Sequence, residues 1–135
     1  EIYTLSLHDA LPIYDLGAFS GRIRVSVPRM GVGEQAANAL ALIVHELATN
    51  SLKYGALSAE SGTLDVSCSA HESELVIAWT EQGGPPVKPP EGPGGYGSRM
   101  VERAMARQLD GDIEKDWAEQ GLVVRLRMNR DKVAQ

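Results

Sequence analysis

The chain has 135 residues, with 13 Lys and Arg against 18 Asp and Glu for a formal charge of -5, 43% hydrophobic residues and 5% aromatic. That balance describes one soluble domain whose core needs no metal or disulfide staple, and the lone cysteine, Cys68, excludes an internal disulfide framework and fits a reducing compartment. The acidic excess gives no general attraction for nucleic acid or anionic lipid, and no apolar run approaches the ~18 residues that would span a bilayer.

Glu1 to Ile13 reads EIYTLSLHDALPI, which resembles, along its whole length, a one-frame translation of a common sequencing-library adapter. On that resemblance residues 1–13 are a non-native segment that takes no part in fold reasoning, and the domain is 14–135. The alternative is a genuine apolar arm. A signal peptide fits worse, because the stretch opens on Glu1 and carries His8 and Asp9 where an apolar run belongs.

From Gly21 to Val27, Ile23, Val25 and Val27 alternate with Arg22, Arg24 and Ser26, the pattern of a half-buried strand, which Pro28 ends. Gly31 and Gly33 mark a turn. Residues 34–54 hold neither Pro nor Gly, keep apolar residues 36, 40, 43, 44 and 47 at helical spacing, and run into Gly55 as a C-terminal cap. Residues 62–70 and 73–81 alternate about a short polar turn and predict an antiparallel hairpin. The next stretch, 83–97, has six Gly and five Pro in fifteen positions, so it predicts a long loop of the kind that serves as a lid or binding loop. Residues 98–109 predict a second helix, and 111–117 with 121–129 a final hairpin. This order predicts an α/β fold: a two-layer sandwich with helices on one face of a mostly antiparallel mixed sheet.

Glu46, Asn50 and Lys53 follow one another at helical spacing along one face of the long helix. A carboxylate, an amide oxygen and an ammonium in one row suit proton acceptance, Mg²⁺ ligation and phosphate contact. Taken alone the row also fits an ordinary solvated face, but Leu47, Ala48 and Leu52 crowd it and place it at the rim of a cleft. Gly94, Gly95 and Gly97 stand directly before the second helix, where bare backbone N–H groups form an anion site. No Gly-Lys-Ser/Thr follows and no strand leads straight in, which excludes a Walker A loop and a dinucleotide fingerprint.

As a set, these residues resemble one family. The run His45-Glu-Leu-Ala-Thr-Asn50-Ser-Leu-Lys53-Tyr-Gly-Ala-Leu-Ser58 is similar to the N box of the ATP-binding domain of sensor histidine kinases. Trp79-Thr-Glu81-Gln-Gly-Gly-Pro85 resembles the first glycine box of the HWE subfamily, whose three namesake letters match His45, Trp79 and Glu81, and Gly95-Tyr96-Gly97 resembles the second glycine box. The resemblance runs from about Gly21 to Met128. It implies the Bergerat-type nucleotide-binding fold shared with gyrase and Hsp90.

The resemblance implies ATP and Mg²⁺ as cofactors, with Asn50 as metal ligand, Lys53 on phosphate and Glu46 polarising the nucleophile. It puts Tyr54, Glu81, Gly83, Gly84, Gly95, Tyr96 and Gly97 in the nucleotide site, Glu81 accepting from the adenine amino group and Gly83 letting the backbone approach the base. Glu81 is one methylene longer than the aspartate of most relatives, so this contact needs a recessed strand or a bridging water. Pro85 stands where a glycine is usual and stiffens the lid's entrance, and no phenylalanine-rich box lies between the glycine boxes. His45 reads as a site-lining or packing residue and not the phosphorylated one, Trp79 as core beneath the nucleotide, His71 as solvated, and Arg99 as structural or within reach of a phosphate.

The function so implied is a protein-histidine kinase catalytic domain. It would donate the γ-phosphoryl group to a histidine on a separate dimerisation domain, for relay to a response regulator receiver domain. The parent would be a homodimer and the domain cytoplasmic, touching neither nucleic acid nor membrane. The alternatives are an anti-sigma-type protein serine kinase on the same fold and a non-catalytic binding module.

Overall fold

The structure, a computed structural model described over residues 5–11, 21–89 and 96–135, begins with a two-residue strand β1 (Leu5–Ser6) and one helical turn α1 (Leu7–Ala10). There follow β2 (Ile23–Ser26), β3 (Gly31–Val32), the long helix α2 (Glu34–Lys53), a 3-10 turn at Ala56–Ser58, β4 (Thr63–His71) and β5 (Glu74–Gln82). Then come α3 (Tyr96–Gln108), β6 (Asp112–Ala118), β7 (Gly121–Asn129) and a terminal turn α4 (Arg130–Ala134). A five-stranded sheet has the order β2-β4-β5-β7-β6, and β1 pairs with β3 apart from it. Only β2–β4 is parallel within the larger sheet. Parallel neighbours need a crossover connection, and α2 lies within it.

Alternation in the strands sorts the two faces of the sheet. Leu64 and Val66 on β4, Leu75, Ile77 and Trp79 on β5, and Val124, Leu126 and Met128 on β7 are buried under the helices. The intervening residues form the open face, where Glu114 meets Arg127 at 3.3 Å and Arg125 at 3.9 Å. From the helical layer, Leu40, Ile43 and Val44 of α2 and Met105 of α3 complete the core. Ala36, Ala37, Ala39 and Ala48, all buried, let α2 lie close to its neighbours.

The predicted two-layer α/β sandwich is therefore the fold, and both hairpins and both helices stand within two residues of their predicted bounds. Three short elements carried no usable periodicity. The Gly31–Gly33 turn includes β3, whose pairing with β1 is set by contact and not by local pattern. Residues 130–134 form α4, capped by the Asn129 side chain accepting from the Lys132 N–H at 2.9 Å, and its Val133 is fully buried. Leu7 and Leu11, within the segment left out of fold reasoning, are 0% and 1% exposed and join the core cluster.

Cys68 lies on β4 opposite Ile77, half-buried against the core. Burial pushes its thiol up to about 11 from an ordinary 9.0, because the thiolate loses hydration there. At pH 8 its thiolate fraction is then about a hundredfold below that of a free cysteine. Iodoacetamide should accordingly modify native Cys68 far more slowly than the urea-unfolded chain, as followed by mass spectrometry. Equal rates in the two states would contradict this burial.

Candidate functional site

Glu46 and Asn50, one turn apart on α2, are joined by a hydrogen bond from Asn50 Nδ2 to Glu46 Oε2 at 3.3 Å. With its amide nitrogen so engaged, Asn50 keeps its side-chain oxygen as a free-standing hard acceptor. Both residues line a cavity of about 430 Å³ whose further walls come from Glu81 of β5, Leu122 of β7, Lys115 and Trp117 of β6, and Gly97 and Ser98 of α3. Tyr54, Gly55, Val87 and Lys88 complete its rim. A space of this size, mixing apolar walls with a few fixed polar groups, fits a small ligand. An open hollow of about 510 Å³ beside β2 and β4 gathers Arg22, Arg24 and Asp65, and of the motif residues only Gln82 lines it, none of those assigned a site role.

Glu81 is 3% exposed, and two protein donors hold its carboxylate. Trp79 Nε1 donates to Oε2 at 2.7 Å, and the Ala56 backbone N–H donates to Oε1 at 2.9 Å. A buried carboxylate is costly unless its oxygens are hydrogen-bonded, and these two bonds tie β5 to the loop that leaves α2. The same loop is braced from its other side. Arg22 Nε donates to the Gly62 carbonyl at 2.8 Å, its Nη2 donates to the carbonyls of Ala56 and Ala59, and Ser51 Oγ accepts from the Leu57 N–H at 3.2 Å.

This bracing changes the meaning of Gly55. Its φ of -104° is open to any residue, so it is not a left-handed helix cap. A Cβ at Gly55 would overlap Glu81 Oε1, so close approach of the carboxylate is what requires glycine. At Gly97 a Cβ would meet the Glu46 carboxylate, the far end of a flexible side chain that can swing aside, so the contact brings the start of α3 onto Glu46 without by itself requiring glycine.

Of the residues named from sequence, Glu46, Asn50, Tyr54, Glu81 and Gly97 line the cavity. Tyr54 is 70% exposed at its mouth. Lys53, in the last turn of α2, is exposed and is not among the lining groups. Gly83 and Gly84 do not line it either. Gly83 has φ +79°, and its Cβ would stand 2.9 Å from the Ser61 carbonyl, while a Cβ at Gly84 would meet Ala56, so their close approach is to the loop after α2. Gly95 lies outside the described residues, as does the side chain of Tyr96, whose backbone opens α3.

His45 is a correction. It is exposed, on the outward stripe of α2 with Asn38, Leu42 and Leu52, and neither lines the cavity nor packs in the core. A shift of one position from Glu46 rotates a side chain about 100° around the helix, enough to move it from rim to solvent. Arg99 likewise faces the groove between α2 and α3 and not the cavity. Trp79 is core, at 1% exposed, and His71 is solvated as expected. Sequence reasoning missed Lys88, Lys115, Trp117 and Leu122. The available signal was parity: Ile113, Lys115 and Trp117 alternate with Asp112, Glu114 and Asp116, so the first set shares a face.

Replacing Trp79 by Phe removes one donor from a buried carboxylate while keeping an aromatic ring in the core. The expected cost is about 1.5–3 kcal/mol, read as a lower urea midpoint at unchanged slope. An unchanged midpoint would mean that the Trp79–Glu81 bond contributes nothing to the fold.

Residues 16–128 match the family described as the histidine kinase-like ATPase domain. The chain is 38% identical over 110 residues to blue-light-activated histidine kinase 1 of Erythrobacter litoralis, covering 80% of this chain and 30% of that protein. It is 37% identical over 110 residues to the blue-light-activated histidine kinase of Brucella anthropi, covering 78% of this chain and 22% of that protein. This chain thus spans less than a third of the length of either relative. Among solved structures, the histidine kinase domain of an Erythrobacter litoralis blue-light-activated histidine kinase superposes with a TM-score of 0.72 at 20% identity, over 95% of this chain and 62% of that one. The fold agrees, and with the family match covering most of its length the chain belongs to the histidine kinase-like ATPase domain family.

Proposed function

We propose that this chain is the ATP-binding catalytic domain of an HWE-type sensor histidine kinase, acting in the cytoplasm on a histidine of the parent's dimerisation domain. The observation that carries the reading is the convergence of Glu46 and Asn50, Glu81, and the first turn of α3 on one cavity. Glu81 keeps lone pairs beyond its two protein bonds, and a carboxylate so fixed accepts from the 6-amino group of adenine but repels the 6-oxo group of guanine. The extra methylene of glutamate is used to reach the Ala56 N–H across the loop.

The metal reading fits the donors present. Among the described residues no cluster of three His, Cys, Asp or Glu side chains is assembled, so a cation would rest on the Asn50 oxygen and on ligand phosphates. Mg²⁺ binds in that manner, and when bound it supplies neutralisation of phosphate charge. Lys88 and Lys115 add cationic charge at the cavity, whereas Lys53, exposed in the last turn of α2, would have to swing inward to meet a phosphate. In transfer, the bond from the γ-phosphorus to its bridging oxygen breaks, ADP leaves with the electron pair, and the acceptor imidazole forms the new N–P bond. Glu46 accepts or orients the imidazole proton. A receiver-domain aspartate of a response regulator would then take the phosphoryl group.

Unfolding temperature with and without Mg-ATP tests the site. A hundredfold excess over Kd should stabilise by about 2.7 kcal/mol, on the order of 10 °C for this size, and Asn50→Ala should abolish the Mg²⁺-dependent part. No shift at saturating ATP would favour the non-catalytic binding module. Incubating the domain with labelled ATP and either a histidine-bearing dimerisation domain or a serine-bearing partner separates the histidine kinase from the serine kinase.

We also propose that residues 1–13 are foreign to the domain and that Leu7 and Leu11 occupy a surface otherwise covered by other chain. Removing residues 1–13 should then lower the unfolding temperature while leaving Mg-ATP affinity within about twofold, since among the described residues neither Leu7 nor Leu11 lines the cavity. Loss of folding altogether would mark the segment as a genuine part of the domain.

A further inference from the structure

β6 is an edge strand. Asp112, Glu114 and Asp116 are exposed, whereas on the opposite parity Ile113 and Trp117 are half-buried with the exposed Lys115 between them. Pairing places these residues in rows that cross the sheet. One row runs Val66, Trp79, Val124 and Lys115, in which the first three are at most 1% exposed. One step further toward the cavity, β4 and β5 align Leu64 with Glu81, and β7 and β6 align Leu122 with Trp117. Glu81, Leu122 and Trp117 all line the same cavity.

The two tryptophans of the chain therefore have different tasks. Trp79 is sealed in the core with its N–H spent on Glu81. Among the described residues, Trp117 is the larger of two aromatic side chains lining the cavity, the other being the highly exposed Tyr54. Trp117 is only half-buried, and beside it on the sheet its cross-strand partner Leu122 packs against the core. An indole placed beside a carboxylate that accepts from an amino group supplies the apolar, π-rich wall that a purine needs, and stacking of this kind is indifferent to which purine it meets.

We infer that Trp117 is a base-contacting residue of the nucleotide cavity, packing its indole against the purine of bound ATP while Glu81 reads the 6-amino group. The inference rests on the ATP-binding reading and adds to it an edge-strand residue outside the N box and both glycine boxes.

The test is calorimetric titration of Mg-ATP into the wild-type chain and into Trp117→Leu and Trp117→Phe. Leucine keeps apolar volume on β6 and removes the π face; phenylalanine keeps both. The expected result is about tenfold weaker binding for Trp117→Leu and within about threefold of wild type for Trp117→Phe, with both variants giving wild-type circular dichroism. Wild-type affinity in Trp117→Leu, or equal weakening in the two variants, would overturn the role of Trp117 while leaving the ATP site in place. Failure of the wild-type chain to bind Mg-ATP would overturn both.

Discussion

The buried carboxylate of Glu81 is the constraint around which the site is assembled. It sits at the end of β5 in a layer of otherwise apolar side chains, where a charge survives only if donors are fixed around it. One donor comes from its own strand, two residues back, and the other from the backbone of the loop that ends α2. Through these bonds the sheet dictates where the loop runs. The loop in turn demands glycine at position 55, where a side chain would displace the carboxylate, and at position 84, where one would collide with Ala56. Arg22 draws the same loop toward β2 by binding its carbonyls. The polar groups of the site thus inherit the rigidity of the core beneath them.

α2 links this frame to the other side of the cavity. Its buried stripe of small and branched residues fixes its height above the sheet, and Glu46 and Asn50 lie at the margin of that stripe. Gly97 brings the start of α3 against Glu46. Among the described residues, the walls given by α2 and the sheet rest on the packed core.

Periodic segments were readable because one face of each is paid in burial. The alternation in 63–71, 74–82 and 121–129 and the helical spacing in 34–53 are imprints of water exclusion on local sequence. β3 and α4, of two and five residues, are too short to carry a repeated pattern, and β1 lies in the segment 1–13 left out of fold reasoning. The motif residues Glu46, Asn50, Glu81 and Gly97 were legible as a set, and the structure does bring them to one cavity. His45 was misplaced because adjacency along a helix is not adjacency on its surface. Lys115 and Trp117 were missed because parity groups them with Ile113 on one face of β6 but does not say that this face reaches the cavity, which the pairing with β7 decides.

Composition, periodicity and the ordered motifs, by themselves, determined the fold class, the hairpins, the long helix and the chemical types gathered for a nucleotide, since each is written in residues near one another in the chain. Tertiary structure alone decided that the Ala56 N–H clamps Glu81, that Gly55 is a glycine for close approach to that carboxylate, and that Trp117 of β6 supplies a wall opposite it. Those facts join Glu81 to residues 25, 26 and 36 positions away, and a contact at that separation exists only once the sheet order and the crossover of α2 have been set.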